Sequence, residues 1–232
     1  MPSPAKTSKD AARPVPFDLL QLQPVPRAFY LRNPRSVARD LLGKLLIRRE
    51  HGHLTAGRIV LAGRIVETEA YLGTNDPAAH SAAGPTDRNR VLFGPPGHAY
   101  VYFIYGNHFC LNVSCQPEGQ SGGVLFRALE PVAGIGHMLR ARALPVRPNP
   151  TPAELRLISS GPGRLTQAFG ITRLRDNGID LAASDSSLFI AEDGFWPRRI
   201  VRTPRIGISK ATASLLRYVI GGNAFVSGKR SM

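Results

Sequence analysis

Two glutamates stand one residue apart in an otherwise apolar stretch, "IVETEAYLG", residues 65–73. Alternate side chains of an extended strand share a face, so Glu67, Glu69 and Tyr71 would point the same way. A buried carboxylate needs a partner or a chemical task, because an unpaired charge in the interior is costly. The pattern therefore indicates acid–base chemistry if the strand is buried, and a solubilising pair if it faces water.

Aromatic side chains are concentrated in a second stretch. Half of the six tyrosines fall within one short run, at Tyr100, Tyr102 and Tyr105. Strand tyrosines often fill half-buried positions, which accounts for one or two of them. Gly106 followed by Asn107 predicts a two-residue type II′ hairpin turn. Tyr105 and His108 would flank this turn at an exposed tip, where aromatic groups suit stacking on bases or insertion into a duplex.

The charge of the chain points to a polyanionic partner. Lysine and arginine number 30 against 16 aspartates and glutamates, a formal net charge of +14 at pH 7. Coding bias can explain the excess of arginine over lysine, but not the excess of bases over acids. A field of this sign attracts polyanions and steers their encounter. We expect nucleic acid to be the partner.

Composition and cysteine usage indicate the compartment. Hydrophobic residues make up 43% of the chain and charged residues 20%. No run of about 18 apolar residues offers a membrane span, and the first 16 residues lack the apolar region of a secretory signal. Cys110 and Cys115 lie too close for a bridge along one strand and are too few for a zinc site. We expect a soluble protein of a reducing, cytoplasmic compartment, associated with the nucleoid.

The length is sufficient for one domain with a real core. Residues 1–16, rich in Pro, Ala, Ser and Lys, are predicted to form a disordered basic arm, and residues 17–232 a single domain. Asn33 as N-cap and Pro34 at the first position predict a helix that leads into a strand near Leu45. Strand-like runs cluster without regular βα alternation, which predicts an α+β fold with a largely antiparallel sheet.

Seven motifs, in this order along the chain, carry a family resemblance: "RIVETEAYLG", "AAHSAAGPTDRNR", "YVYFIYG", "CLNVSCQ", "VLFRALEP", "SGPGRLTQAFGI" and "PRIGIS". The sequence resembles the alkyladenine (3-methyladenine) DNA glycosylases over roughly residues 26 to 228. The resemblance implies a curved, largely antiparallel sheet flanked by helices, with a protruding β-hairpin that enters the DNA minor groove.

The resemblance also implies roles for individual residues. Glu69 would hold and activate the attacking water, with Arg127 and the backbone carbonyl of Ile206 helping to position it, and Glu67 would be a support. Neighbouring Arg127 would keep the pKa of Glu69 low. The residues implied to form the walls of the damaged-base pocket and to exclude the amine of guanine are Tyr71, His80, Tyr102 and Asn112.

The residues implied to contact the DNA lie around the hairpin. Tyr105 would be the wedge that fills the gap left by the flipped nucleotide. Asn107 and His108 follow the wedge glycine where many relatives carry a methionine and then an aromatic residue or histidine, so the fit into the groove differs here. Thr86 would contact a phosphate.

The implied activity is a DNA repair reaction on double-stranded DNA. The enzyme would flip an alkylated or deaminated purine out of the duplex and hydrolyse its N-glycosidic bond, leaving an abasic site. The expected lesion is 3-methyladenine, with 7-methylguanine, hypoxanthine and ethenoadenine as further candidates. The resemblance implies a monomer that uses water rather than an enzyme amine, without lyase activity, cofactor or metal. Neutral lesions need protonation of the base, and the sequence names no acid for it.

Two alternatives from other classes stay open. A metal-dependent phosphoester hydrolase could use Glu67, Glu69, Asp76 and His80 as ligands, although their spacing is loose and no HExxH motif is present. A non-catalytic nucleic-acid-binding module would use the tyrosines to stack bases and the glutamates as structural groups. Buried carboxylates argue against this second alternative.

Overall fold

A computed structural model describes residues 18–51, 58–104 and 106–228, except for the side chains of His51 and Arg58. The predicted arm, residues 1–16, and the expected wedge, Tyr105, lie outside the described residues.

The described residues form eight strands and five short α-helices. The strands are β1 (Leu45–His51), β2 (Arg58–Tyr71), β3 (Ala99–Ile104), β4 (His108–Ser114), β5 (Gly123–Ala133), β6 (Leu188–Ala191), β7 (Ile200–Thr203) and β8 (Arg217–Ile220). The helices are α1 (Pro34–Leu41), α2 (Ile135–Ala141), α3 (Pro152–Ser159), α4 (Pro162–Ala168) and α5 (Arg173–Asp176). No helix in this part of the chain is long and apolar enough to cross a bilayer.

All strands belong to one curled antiparallel sheet with the order β3-β4-β5-β2-β1-β6. Strand β2 is its centre, because β5 pairs along one edge while β1 and then β8 pair along the other. Register shifts interrupt the β2–β5 pairing on both sides of Glu67. Such bulges bend a strand and re-aim its side chains. The predicted α+β fold with a curved antiparallel sheet is confirmed.

Helix α1 covers one face of β2 and leaves the other face for the two glutamates. As predicted, Asn33 caps the helix by accepting a hydrogen bond from the Arg35 N–H, and Pro34 occupies the first turn. The hydroxyl of Thr68 donates to the carbonyl of Ala38 at 2.8 Å. Because neighbouring residues of a strand point to opposite faces, Glu67 and Glu69 point away from α1.

The main hydrophobic core lies between the sheet and its helices, where α3 packs on β5 and α4 on β4 and β5. Its large members include Leu41, Leu46, Leu111, Phe126, Leu129, Leu165 and Phe169. A smaller cluster on the other side of β1 and β6 contains Leu45, Ile47, Ala62, Phe189 and Ala191. Densely packed strands of this kind hold functional side chains in fixed positions.

The β3–β4 hairpin turns differently from the prediction. Ile104 pairs with His108, so three positions, 105–107, connect the strands. The N–H of Asn107 returns to the carbonyl of Ile104 at 3.4 Å, and Gly106 has a φ of 72° at the third position of that turn. The predicted two-residue type II′ turn, with glycine first, is therefore wrong. The exposed tip that it implied is present, since Gly106 and Asn107 are exposed.

Candidate active site

One face of the hairpin, the end of β2 and the segment after β7 enclose a cavity of about 650 Å³. The two hairpin strands contribute alternate residues to its lining, namely Tyr100, Tyr102 and Ile104 from β3 and His108, Cys110 and Asn112 from β4. This alternation follows from the period of a strand. The cavity therefore draws its wall from the regular part of the sheet, which fixes the positions of these side chains.

Glu69 is buried behind residues that line the cavity. Its side chain has no solvent-exposed surface, and its two oxygens accept hydrogen bonds from groups that line the cavity. The Tyr71 hydroxyl donates to Oε2 at 2.9 Å, and the Ile206 N–H donates to Oε1 at 2.8 Å. Ile206 thus contacts the carboxylate through its N–H, in addition to the carbonyl contact with water that the resemblance implies.

Arg127 joins the two glutamates, as the sequence led us to expect for Glu69. Its Nε donates to Oε1 of Glu67 at 2.9 Å, and its Nη1 lies 3.3 Å from Oε1 of Glu69. The guanidinium reaches both carboxylates from β5, which pairs with this part of β2. Arg127 is only 7% exposed and lines the cavity.

The expectation that Arg127 keeps the pKa of Glu69 low is wrong. Burial of the carboxylate raises this pKa above its usual value, and the opposing effects of Arg127 and of the hydrogen bonds from Ile206 and Tyr71 only partly offset it. The ionised form of Glu69 is therefore held at an energetic cost. A reaction that needs this ionised form gains rate as the pH rises through the raised pKa.

Glu67 acts as an anchor for its neighbours. Besides the bond from Arg127, its Oε1 accepts hydrogen bonds from Arg217 Nε at 2.6 Å and from the Ser227 hydroxyl at 2.9 Å. Its Oε2 accepts the N–H of Ser227 at 2.6 Å. Three of these four donors share Oε1, and Arg217 and Ser227 do not line the cavity. Glu67 is therefore held by groups outside the cavity wall, and it fixes the orientation of Arg127 toward Glu69.

The three residues expected to form the pocket walls, Tyr71, His80 and Tyr102, all line the cavity. The rings of His80 and Tyr102 lie 4.4 Å apart at 65°, and Nδ1 of His80 is 3.0 Å from the Tyr100 hydroxyl. Burial, and secondarily the charge of Arg88, lower the pKa of His80 below its usual value. His80 is therefore neutral at neutral pH. A neutral imidazole ring does not repel a positively charged group stacked on it.

Asn112 lies deep in the cavity, 6% exposed, with its Nδ2 3.3 Å from the carbonyl of Tyr100. Cys110 lies two residues earlier on the same face, a site residue that the sequence analysis missed. The period of β4 could have identified it, since Asn112 was already assigned to the pocket. Burial raises the pKa of its thiol, which makes a nucleophilic role unfavourable.

The residues expected to contact DNA fall into two groups. His108 lines the cavity and packs so closely on Gly163 that a Cβ there would lie 2.9 Å from its ring. Asn107 and Thr86 are exposed and stand outside the lining. The N–H of Thr86 donates to Oδ1 of Asn89, which fixes that loop.

Two exposed cations that the sequence analysis did not assign, Arg164 and Lys210, line the cavity. Arg164 belongs to "SGPGRLTQAFGI" and Lys210 directly follows "PRIGIS", so both could have been found from the motifs. Their position at a solvent-open cavity suits contact with the anionic backbone of a nucleic acid.

The four ligands of the metal-site alternative do not form a metal cluster. Glu67 and Glu69 are bound by arginine, and Asp76 forms a buried two-point ion pair with Arg205. His80 bonds to Tyr100 instead. Across residues 18–51, 58–104 and 106–228, no group of three or more His, Cys, Asp and Glu side chains could hold a metal ion.

The size and lining of the cavity define the class of protein. A cavity of about 650 Å³ with tyrosine and imidazole side chains in its walls is large enough for a purine. A buried carboxylate, Glu69, is held by residues that line this cavity, and the strongly basic chain suits a polyanion. The fold and site are thus those of a DNA glycosylase.

Comparisons with known proteins identify the family. Residues 28–224 match the family described as "Methylpurine-DNA glycosylase (MPG)". A protein of Koribacter versatilis, named "Putative 3-methyladenine DNA glycosylase", is 61% identical over 212 residues, which are 91% of this chain and 97% of that protein. Proteins with the same name from Methanoculleus marisnigri and Burkholderia lata are 48% and 45% identical, over 88% of this chain and 98% and 91% of theirs. The chain belongs to the methylpurine-DNA glycosylase family, and it is a DNA repair hydrolase that acts on damaged bases in DNA.

Proposed function

We propose that this protein flips alkylated or deaminated purines, 3-methyladenine foremost, out of duplex DNA and hydrolyses the N-glycosidic bond with water activated by Glu69. The product is an abasic site in an intact strand. Hypoxanthine and ethenoadenine are further substrates of the same cavity. 7-Methylguanine is also a substrate despite its exocyclic amine, because its positive charge favours stacking and makes it a good leaving group. A purine inside the duplex is out of reach for attack at its sugar, so extrusion precedes chemistry.

The contrast between the two buried carboxylates carries this proposal. Three of the four hydrogen bonds to Glu67 come from Arg217 and Ser227, which do not line the cavity. The three partners of Glu69, namely Tyr71, Ile206 and Arg127, all line it. With three donors on its two oxygens, Glu69 retains capacity for a further donor at the cavity. A water at this place would donate a proton to Glu69 while its oxygen faces the sugar. The charge of Glu69 would also stabilise an oxocarbenium-like sugar.

Base recognition follows from the cavity walls. Alkylation at N3 or N7 makes a purine cationic, so that it stacks well on tyrosine faces and leaves readily. Tyr71 and Tyr102 supply these faces, and His80 completes the wall. The hairpin tip, with Tyr105, Asn107 and His108, enters the minor groove, with Tyr105 as the wedge that fills the vacated stack. Thr86, Arg164 and Lys210 contact the phosphates.

The experiment that tests the function measures free base and strand integrity together. Duplexes that each carry one purine lesion are incubated with the protein in EDTA, and the released base and the strand length are recorded. Release of a methylated purine with an uncut strand supports a monofunctional hydrolase. Release that stops in EDTA favours the metal-dependent alternative, and strand cleavage points to an amine such as Lys210.

Replacing Asn112 with alanine is expected to admit guanine. The amide of Asn112 would collide with the exocyclic amine of guanine, so its removal should raise release of undamaged guanine above background. Hypoxanthine lacks that amine, and its release should change by no more than about tenfold, the scale of one lost neutral hydrogen bond. Liquid chromatography of the freed bases checks both. An unchanged guanine signal in a folded variant would remove the exclusion role of Asn112.

Binding to duplex DNA is expected to weaken steeply with salt. If about four phosphates are neutralised, doubling the salt concentration lowers the binding constant roughly twelvefold. Arg164→Gln should reduce the slope of the logarithmic plot by about one contact. Arg147→Gln, at an exposed arginine outside the cavity lining, serves as the matched control. Anisotropy titrations measure the slopes, and a flat response would contradict the assigned role of the charge.

The state and location of the protein complete the proposal. A single copy carries all the proposed groups, so we infer a monomer in which residues 17–232 form the catalytic domain and residues 1–16 a basic arm. Because its substrate is the chromosome, the enzyme works in the cytoplasm, at the nucleoid.

A further inference from the structure

A positive charge lies behind one wall of the cavity. The guanidinium carbon of Arg205 is 4.6 Å from the ring centroid of Tyr71. Tyr71 lines the cavity, whereas Arg205 is not among the lining residues. The guanidinium therefore covers the ring face that is turned away from the cavity. A base stacked on Tyr71 would be separated from this cation by the thickness of one ring.

An aspartate balances this charge. Arg205 and Asp76 form a two-point ion pair, with contacts of 2.5 and 2.9 Å and side chains that are 0% and 2% exposed. Arg205 also donates to the carbonyl of Ala70 at 3.0 Å, and Asp76 accepts the N–H groups of Leu72 and Ala78. These bonds hold the guanidinium, rather than the carboxylate, against the ring.

We propose that Arg205 and Asp76 set the preference of the cavity between cationic and neutral purines. The proposal rests on the function proposed above. A tyrosine face attracts a cation through the negative potential of its π electrons. A guanidinium on the opposite face reduces the negative potential of the ring. A cationic purine therefore gains less stacking energy on Tyr71, whereas the stacking energy of a neutral purine changes little. The negative charge of Asp76 partly cancels this weakening of cation stacking. The pair widens the range of lesions that the cavity accepts.

The two partners of the pair make opposite predictions. Asp76→Asn keeps the shape of the side chain but leaves the charge of Arg205 uncompensated, so cationic purines should bind less well relative to neutral ones. Arg205→Met leaves the carboxylate of Asp76 behind the ring, so the preference should shift toward cationic purines. A merely structural role of the pair would move both variants in the same direction, because both loosen the same wall.

The test compares two bases that differ by one methyl group and its charge. Duplexes that carry hypoxanthine or 7-methylhypoxanthine are titrated against the protein in the Glu69→Gln background, below the N1 pKa of the methylated base. Equilibrium binding is the readout, because a neutral purine gains a proton during excision and rates would mix the two charge states. We define the affinity ratio as the affinity for the 7-methylhypoxanthine duplex divided by that for the hypoxanthine duplex. This ratio should fall about three- to tenfold in Asp76→Asn and rise about three- to tenfold in Arg205→Met.

A second ion pair offers a matched control. Arg64 and Asp193 also form a two-point pair, and the Arg64 guanidinium lies 4.2 Å from the ring centroid of Phe195, which does not line the cavity. Asp193→Asn and Arg64→Met should leave the affinity ratio unchanged.

Shifts of equal sign in Asp76→Asn and Arg205→Met, or no shift in either, would overturn the inference. If Arg205→Met does not fold, the double variant Asp76→Asn/Arg205→Met decides. Its ratio should rise above that of the unsubstituted protein, because no cation then lies behind the Tyr71 ring, and an unchanged or lower ratio would overturn the inference. Failure of the unsubstituted protein to release any methylated purine is a separate result. That outcome would contradict the proposed function. It is measured in the base-release assay, whereas the further inference is tested by these titrations.

Discussion

Glu69→Gln is expected to lower base release by about 10³-fold or more while duplex binding stays within a few-fold. Glutamine has the shape of glutamate, so it can still accept the N–H of Ile206 and bond to the Tyr71 hydroxyl. It can neither take a proton from water nor stabilise positive charge on the sugar. Single-turnover release of a methylated purine measures the rate, and titration of the same duplex measures the affinity.

The control for this variant is Glu118→Gln, which makes the same change at an exposed glutamate. It should release base at the unsubstituted rate. The thermal midpoint of Glu69→Gln should be at least that of the unsubstituted protein at neutral pH, since the change removes a charge whose burial is costly. Excision by Glu69→Gln at the unsubstituted rate would end the assignment of Glu69 as the activating group.

The periodicity of short segments predicted much of the frame around Glu69. The cap at Asn33, the antiparallel sheet, and the common face of Glu67, Glu69 and Tyr71 all depend on residues close together in sequence. The alternation of β3 and β4 also brings Tyr102 and Asn112 to one cavity, which the motifs had indicated. These features could be predicted because a strand or helix repeats on a scale of two to four residues.

The partners of the buried charges could not be predicted in this way. Arg217 and Ser227 lie 150 and 160 positions from Glu67, yet both bond to it. Arg205 was hidden for the same reason, since its contacts with Tyr71 and Asp76 join distant segments. The pKa of Glu69 was predicted with the wrong sign because the sequence shows the nearby arginine but not the depth of burial. Desolvation depends on the packed fold, and here it outweighs the ion pair.

Glu67 and Glu69 also show how one strand can give two like residues different surroundings. The bulges around Glu67 interrupt the β2–β5 pairing, and Arg127 enters at this place with one nitrogen for each carboxylate. Arg217 and Ser227 reach only Glu67 among the two. The second set of donors holds Glu67, and Glu67 in turn holds Arg127, so that Glu69 has a fixed cation at its side.

Arg127→Met is expected to impair both stability and activity. Removing the cation leaves two buried carboxylates without their shared partner, which should cost about 3 to 5 kcal/mol of unfolding free energy at neutral pH. The pKa of Glu69 is already raised by burial, and Arg127 now opposes that rise, so the pKa should move further up. Base release at neutral pH should fall about 10²-fold, the scale expected when a general base loses the group that keeps it ionised. The acid limb of its pH profile should shift to higher pH.

Proton linkage fixes how the stability loss depends on pH. An acid whose pKa is raised by folding contributes stability below its unfolded pKa and loses it as the pH rises through the folded pKa. Arg127→Met should therefore be less destabilised in acid than at neutral pH, because protonated Glu69 no longer needs the cation. Thermal midpoints of the variant and the unsubstituted protein across this range check the difference.

Arg217→Met distinguishes the contribution of an arginine to stability, through Glu67, from the effect of Arg127 on the pKa of Glu69. Arg217 bonds to Glu67 as Arg127 does, but it has no contact with the carboxylate of Glu69. Its loss should lower the thermal midpoint to a similar degree and leave the acid limb of base release where it is. If both variants shift the limb equally, the charge beside Glu69 acts only through the stability of the fold. A shift confined to Arg127→Met means that the protonation state of Glu69 is set by the arginine next to it.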